Sequence, residues 1–317
     1  MNQSAKVLGS LALAICVDIV HAGVPQDLPY PGETPGADDI ARQVYYVNHF
    51  YAVKNISFER QGKTKITVMA TRAKDKPVDV STMRRFLNNA YERSAMKARD
   101  LALFHSGKLT GRGILVTEFK DDSKPPYYST FLPALKKVRH FSEPAHDEAW
   151  GGSDLTYGDV YLRKPEHESH ALLGKEVFTE CLGSMQLSDK ERASGYLEQL
   201  PGPQCAHQGK AVYKLQSDTK FNDWWYDYRV SYVDSETFAD YRTDYYKDAK
   251  LIKRIDRDWE SMPDIDDPRG VYWRYWYAIS YDTGHETMVA VPAEMVKWNR
   301  EMENEFWSID TLRQMRR

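Results

Sequence analysis

Beyond residue 65 the chain alternates apolar and polar positions with a period of two, broken at short intervals by turn residues. Lys65 to Arg72 sets the pattern: Ile66, Val68 and Ala70 fall on one face, and Thr67, Met69 and Thr71 on the other. Strand-like runs follow at 95–104, 113–120, 127–135 and 137–141, with Gly-Lys, Gly-Arg and Asp-Asp-Ser-Lys-Pro-Pro segments as turns. The second half is more regular, with runs at 155–163, 168–178, 210–217, 223–233, 237–246, 250–257, 270–281 and 285–292. Tyr281-Asp282-Thr283-Gly284-His285 reads as a hairpin turn in which Gly284 is free to take positive φ. In the run from Val271 to Tyr281, Trp273, Tyr275 and Tyr277 share one face while Tyr272 and Trp276 lie on the other. A strand with aromatics on both faces packs against something on both sides.

Helical spacing occurs in two places. Ile40, Val44 and Val47 recur at helical intervals within 38–50, and Asp38 and Asp39 suit the first turn of a helix dipole. Met83, Phe86, Leu87 and Ala90 give 79–93 the same appearance. Residues 23–36 are rich in proline and read as an extended leader, and 297–316 as a polar, irregular or short helical tail. No internal repeat or heptad is present, and meandering strands at this spacing predict a mainly β fold built on one curved antiparallel sheet.

The first 22 residues have the three zones of a secretory signal: Lys6, an apolar stretch from Val7 to Val17, and Val20-His21-Ala22 ahead of Gly23. Small residues at the last and third-last positions suit cleavage between Ala22 and Gly23. The stretch is short of the roughly 20 residues a spanning helix needs, and Ile15 is too large to precede a lipidated Cys16. Export to the periplasm is therefore expected, with 37–317 as a single soluble domain.

Composition sharpens this. Aromatics make up 13% of the 317 residues, with 21 Tyr and 8 Trp, which favours strands and apolar pockets. The net charge of −3 is spread without a basic stripe, so nucleic acid is not an expected partner. After cleavage only Cys181 and Cys205 remain, an even pair suited to a disulfide in an oxidising compartment; two free buried thiols are the alternative.

Catalytic patterns fail on spacing. In His167-Glu168-Ser169-His170 the second histidine comes one residue too early for a zinc-protease helix, and the segment reads as strand. Gly151-Gly152-Ser153-Asp154 lacks the frame of a nucleophile elbow and reads as a turn. Asp264 to Asp267 lacks the glycine and closing glutamate of a calcium loop. His140, His146, Asp147 and Glu148 read as a solvated loop. No metal, cofactor or catalytic residue is expected, and a secreted hydrolase is kept as an alternative.

Trp150-Gly151-Gly152-Ser153-Asp154-Leu155-Thr156-Tyr157-Gly158-Asp159-Val160, followed by Leu172-Leu173-Gly174-Lys175-Glu176, resembles the outer-membrane lipoprotein-sorting family, with its Gly-x-Asp-hydrophobic-x-Tyr-x-Asp-hydrophobic signature. Val230 to Phe238, Asp282 to Thr287 and the late Glu305-Phe306-Trp307-Ser308 are similar as well. The resemblance implies a LolA/LolB-like fold: a curved, incomplete antiparallel barrel with a few covering helices over an apolar cavity. It also implies a periplasmic carrier or chaperone that shields the acyl chains of a lipid or lipoprotein, with transient contact at membrane surfaces and possible service to an inner-membrane transporter. A cargo-free accessory subunit of such a transporter is the other alternative. Trp150, Tyr157, Leu172, Trp225, Trp273, Tyr275 and Tyr277 are the expected cavity residues. The segment 181–208, which holds both cysteines, is an insertion relative to the small sorting chaperones.

Overall fold

The computed structural model describes residues 23–62, 65–91 and 93–314. The expected signal, with its cleavage point after Ala22, lies outside them apart from Gly23. Among the described residues fifteen strands pair, all antiparallel, in one unclosed sheet. They are β1 (Asn55–Phe58), β2 (Thr67–Arg72), β3 (Asp79–Asn88), β4 (Met96–Phe104), β5 (Gly113–Phe119), β6 (Tyr127–Leu132), β7 (Lys137–Phe141), β8 (Glu168–Val177), β9 (Ala211–Thr219), β10 (Tyr228–Asp234), β11 (Asp240–Lys247), β12 (Lys250–Ser261), β13 (Val271–Ser280), β14 (His285–Ala290) and β15 (Val296–Trp298). Two meanders, β2 to β7 and β8 to β14, join where β14 pairs with β2, setting Val289 opposite Met69. β1 prolongs that central lane by pairing with the second half of β3 on one side and with β15 on the other. β7 and β8 are the edges, so the barrel stays incomplete.

Two expected elements come out differently. Residues 79–88 form β3, not a helix, because its apolar residues serve both sides of the sheet: Met83 and Leu87 join the main core, and Phe86 joins a second one. A strand buried on both faces loses its period of two, and the remaining pattern imitates a helix. Residues 155–163 do not form a strand. Leu155 is buried, and the chain then coils through a π-helical turn at Gly158–Leu162 that buries Asp159.

The segment 142–167 has to travel from one sheet edge to the other, and it does so across one face, defined here as the inner face. α1 (Ala37–Asn48) lies beside it against β8 and β9. Its acidic first turn holds the helix start, where Asp39 accepts from Gly36 N at 3.3 Å, and Ile40, Ala41, Tyr45 and Val47 are buried. The outer face has two covers. Over β3 to β6, the tail buries Trp307, whose Nε1 donates to Phe86 O at 2.9 Å, and Leu312 from α3 (Ile309–Gln314), which follows the tetrapeptide helix α2 (Asp189–Arg192) in chain order. Over β12 and β13 lies the segment 178–210, closed by a Cys181–Cys205 disulfide and burying Leu182, Met185, Leu197 and Leu200. Gly183 approaches so closely that an added Cβ would stand 3.0 Å from the Tyr277 ring.

The leader is extended but not free. Lys97 Nζ donates to Val24 O at 2.9 Å, Arg269 Nη1 to Leu28 O at 2.9 Å and Gln43 Nε2 to Pro29 O at 3.0 Å. Proline-rich backbone cannot pair its own carbonyls in a helix or ladder, so side chains of the body satisfy them.

Candidate functional site

The inner face is where unoccupied space and buried charge coincide. Side-chain placement there depends on a β-bulge. Asp258 pairs with Tyr275, but Trp259 pairs with Trp273, so Arg274 is an extra residue in β13. The bulge reverses the alternation. Trp273 thus turns inward with Trp276, their rings 5.6 Å apart, while Tyr275 and Tyr277 face outward beneath the 178–210 segment. The sequence pattern grouped Trp273 with the two tyrosines; the extra residue separates them.

The expected cavity residues therefore divide. Trp150 and Tyr157 line an inner cavity of about 40 Å³, and Trp150 and Trp273 line a neighbouring one of about 30 Å³. Trp225 stacks on Tyr245 at 5.0 Å, with Lys253 Nζ 4.8 Å above its ring. Tyr275 and Tyr277 belong to the outer core, and Leu172 is 37% exposed on the edge strand β8 beside Leu173. Met83, Arg85, Leu155, Val160, Trp276 and Val289 complete the lining of the second. Only the bulge identifies Trp276 as a neighbour of Trp273.

The crossover is fixed to the sheet by its two motif aspartates. Asp154 accepts from Ser280 Oγ at 2.7 Å and Thr287 Oγ1 at 2.8 Å, and it pairs with His285 Nδ1. The serine bonds the carboxylate and not the imidazole, so the group is a latch on the β13–β14 hairpin and not a nucleophilic triad. Asp159, fully buried, accepts from Lys253 Nζ at 2.6 Å, Arg163 Nη2 at 2.8 Å and the Tyr245 hydroxyl. Burial raises its pKa, but Lys253 and Arg163 outweigh that and hold the carboxyl well below the usual range. Glu168 of the His-Glu-Ser-His stretch is likewise structural, bound by Arg229 at 2.6 Å and by the Tyr226 hydroxyl at 2.9 Å. Asp267 pairs with Arg269, Asp264 accepts from Trp298 Nε1, and His146 pairs with Glu143. Among the described residues no group of three or more His, Cys, Asp and Glu is set to hold a metal.

Beside this site Glu118 is buried with Oε1 unpartnered, while the nearby Lys97 ammonium donates to Val24 O. Burial pushes its pKa to about 7. A carboxyl raised on folding contributes stability that is full below its unfolded pKa of about 4.5 and lost as pH rises through 7. Glu118→Gln should therefore be more stable than the parent at pH 8, by roughly 3 kcal/mol at most for a shift of this size. The two should converge near pH 4. Urea unfolding of both proteins across this range isolates Glu118 from His49, which burial lowers to about 3 and which acts in the opposite sense.

No protein-family profile matches the chain, and no curated protein matches it in sequence. Its fold is that of solved structures. A DUF1329 family protein from Desulfovibrio piger superposes with a TM-score of 0.62 at 15% identity, over 88% of this chain and 100% of that one. A putative outer membrane lipoprotein-sorting protein domain from Vibrio parahaemolyticus gives 0.62 at 14% identity, over 88% and 98%. The fold is LolA-like, as the sequence resemblance implied.

Proposed function

We propose that this chain is a periplasmic, non-catalytic carrier that holds the acyl chains of a lipid or lipoprotein bound for the outer membrane. The cargo lies between the inner sheet face and a cover made of α1 and the 142–167 crossover. The observation that carries this reading is the row of aromatic-lined cavities under a cover held by side-chain latches and not by strand pairing. Each methylene moved out of water contributes about 0.8 kcal/mol, so such a surface holds a chain without covalent chemistry. Ligand pockets usually enclose about 300–1,000 Å³, far more than these cavities, so loading requires the cover to lift. Gly151 and Gly152, at φ 62° and 78°, give the crossover a point of backbone freedom between Trp150 and the Asp154 latch. The signal-like residues 1–22 and the shared fold of a putative lipoprotein-sorting domain support the same reading. Exposed Leu172, Leu173 and Val177 on edge strand β8 offer a contact for a membrane surface or an inner-membrane transporter.

The small cavities favour a second reading, an accessory subunit of an envelope transporter with no cargo of its own. Mass spectrometry of organic extracts from the purified protein separates the two, read together with the fluorescence of an apolar dye. A carrier yields co-purified lipid, or a dye signal that added lipid displaces. No lipid and no dye response would leave only the accessory role.

A further inference from the structure

A dense cluster of buried charge lines the end of the inner face where α1, the crossover and strands β8 and β10–β12 meet. A cavity of about 60 Å³ there is walled by Arg163, Lys164, Arg229 and Arg257 and by Asp159, Glu168 and Asp240. Lys253 joins the group through Asp159. Five cationic side chains thus face three carboxylates. Arg229 occupies Glu168, Arg257 occupies Asp240, and Arg163 and Lys253 share Asp159. Lys164 makes no ion pair within 4.0 Å among the described residues, and the acids that feel its charge, Glu118 and Glu143, stand outside the wall of this cavity. The histidines on the wall do not add to the excess, because burial keeps His49 and His170 neutral.

Arg257 is the residue that points to a ligand. It is 3% exposed, its guanidinium stacks 4.1 Å from Trp276, and one Nη holds Asp240. Its Nε–H is buried with no acceptor among the described residues. A buried donor left unmatched, in a cluster where cations outnumber carboxylates, is unfavourable, and an anion relieves both terms at once. The surroundings say what else the anion carries. Val160 and Tyr161 divide this cavity from the one lined by Trp150 and Tyr157, and Val160 also borders the one lined by Trp273 and Trp276. A cationic cavity therefore adjoins aromatic-lined ones beneath a single cover, with Val160 and Tyr161 between them.

We propose that the inner face takes an anionic amphiphile. Its carboxylate or phosphate headgroup sits against Arg257, Arg229 and Lys164, and its chain runs under the crossover toward Trp150, Trp273 and Trp276. This rests on the carrier reading and names the headgroup chemistry of that cargo. An acylated N-terminal cysteine has no anion beside its chains and would leave the cations unanswered.

The test uses quenching of tryptophan fluorescence by 9,10-dibromostearic acid and by its methyl ester, which differ only in the head charge. The acid is expected to bind the wild-type protein at least about tenfold tighter, the size of a hydrogen bond to a charged group. Arg257→Gln, and independently the less buried Lys164→Gln, should bring the acid-to-ester ratio toward one. Equal binding of acid and ester would overturn the headgroup assignment and leave the carrier reading intact; binding of neither would overturn both. Inorganic phosphate alone is the third probe. If phosphate raises the melting temperature as much as the acid does, and the acid adds nothing to it, the site is one for a free anion and the amphiphile assignment falls.

Discussion

Asp159→Asn is expected to destabilise the protein by about 3–5 kcal/mol, the range for breaking a buried ion pair from one side. The carboxylate has no contact with water and gathers Lys253, Arg163, the Tyr245 hydroxyl and Thr156 N at 2.9 Å. The amide that replaces it carries no charge, so Lys253 and Arg163 lose the one carboxylate they share, and Lys253, 4% exposed, cannot reach solvent for help. At about 2–4 °C per kcal/mol the melting temperature should fall by roughly 6–20 °C. Lys253→Met in the same chain should restore part of the loss, since an apolar side chain needs no counter-charge. A double-mutant cycle by urea denaturation measures this. A loss under about 1 kcal/mol would mean that the cluster behaves as if solvated. The pH dependence follows from the lowered pKa: the stabilisation is full above the unfolded value of about 3.9 and disappears as pH falls through the lower folded value. Because Asp159 ties the crossover to β12, the variant should also be cut sooner by protease within 142–167 than elsewhere.

Removing the disulfide is the second large effect. Cys181 and Cys205 are 24 residues apart, and closing a loop of that size contributes about 3–4 kcal/mol by the chain-entropy argument. The bond also keeps the 178–210 segment over Tyr275 and Tyr277. Cys181→Ser with Cys205→Ser should lower the melting temperature by roughly 6–16 °C, and limited proteolysis should cut between 183 and 204. The parent protein in reductant should match the variant. If the variant matches the oxidised parent in both measurements, packing of Leu182, Met185, Leu197 and Leu200 alone holds the cover.

Much of the sheet was legible because half-buried antiparallel strands keep their period of two. The runs from 113 to 141 and from 168 to 292 lie close to β5–β7 and β8–β14, and Gly284 takes φ 65° in the expected hairpin. β3 was missed for the opposite reason, since it is buried on both faces. The charged run Lys253-Arg254-Ile255-Asp256-Arg257-Asp258 misleads in another way. It reads as a solvated strand, yet Lys253 and Arg257 are buried inward while Asp256 and Asp258 are buried outward, against Gly183 and His207. Charge in a sequence carries no sign of whether its partner is water or a residue dozens of positions away.

Local pattern alone therefore determined most of the antiparallel strands, the amphipathic α1 and the β13–β14 turn, because each depends on neighbours in the chain. Tertiary structure decided that the two cysteines are joined, that the motif aspartates 154 and 159 are latches, and that Trp273 faces Trp276 and not Tyr275. These depend on a one-residue bulge and on contacts such as Asp159 with Lys253, and both are fixed by pairing between distant strands and not by the residues on either side.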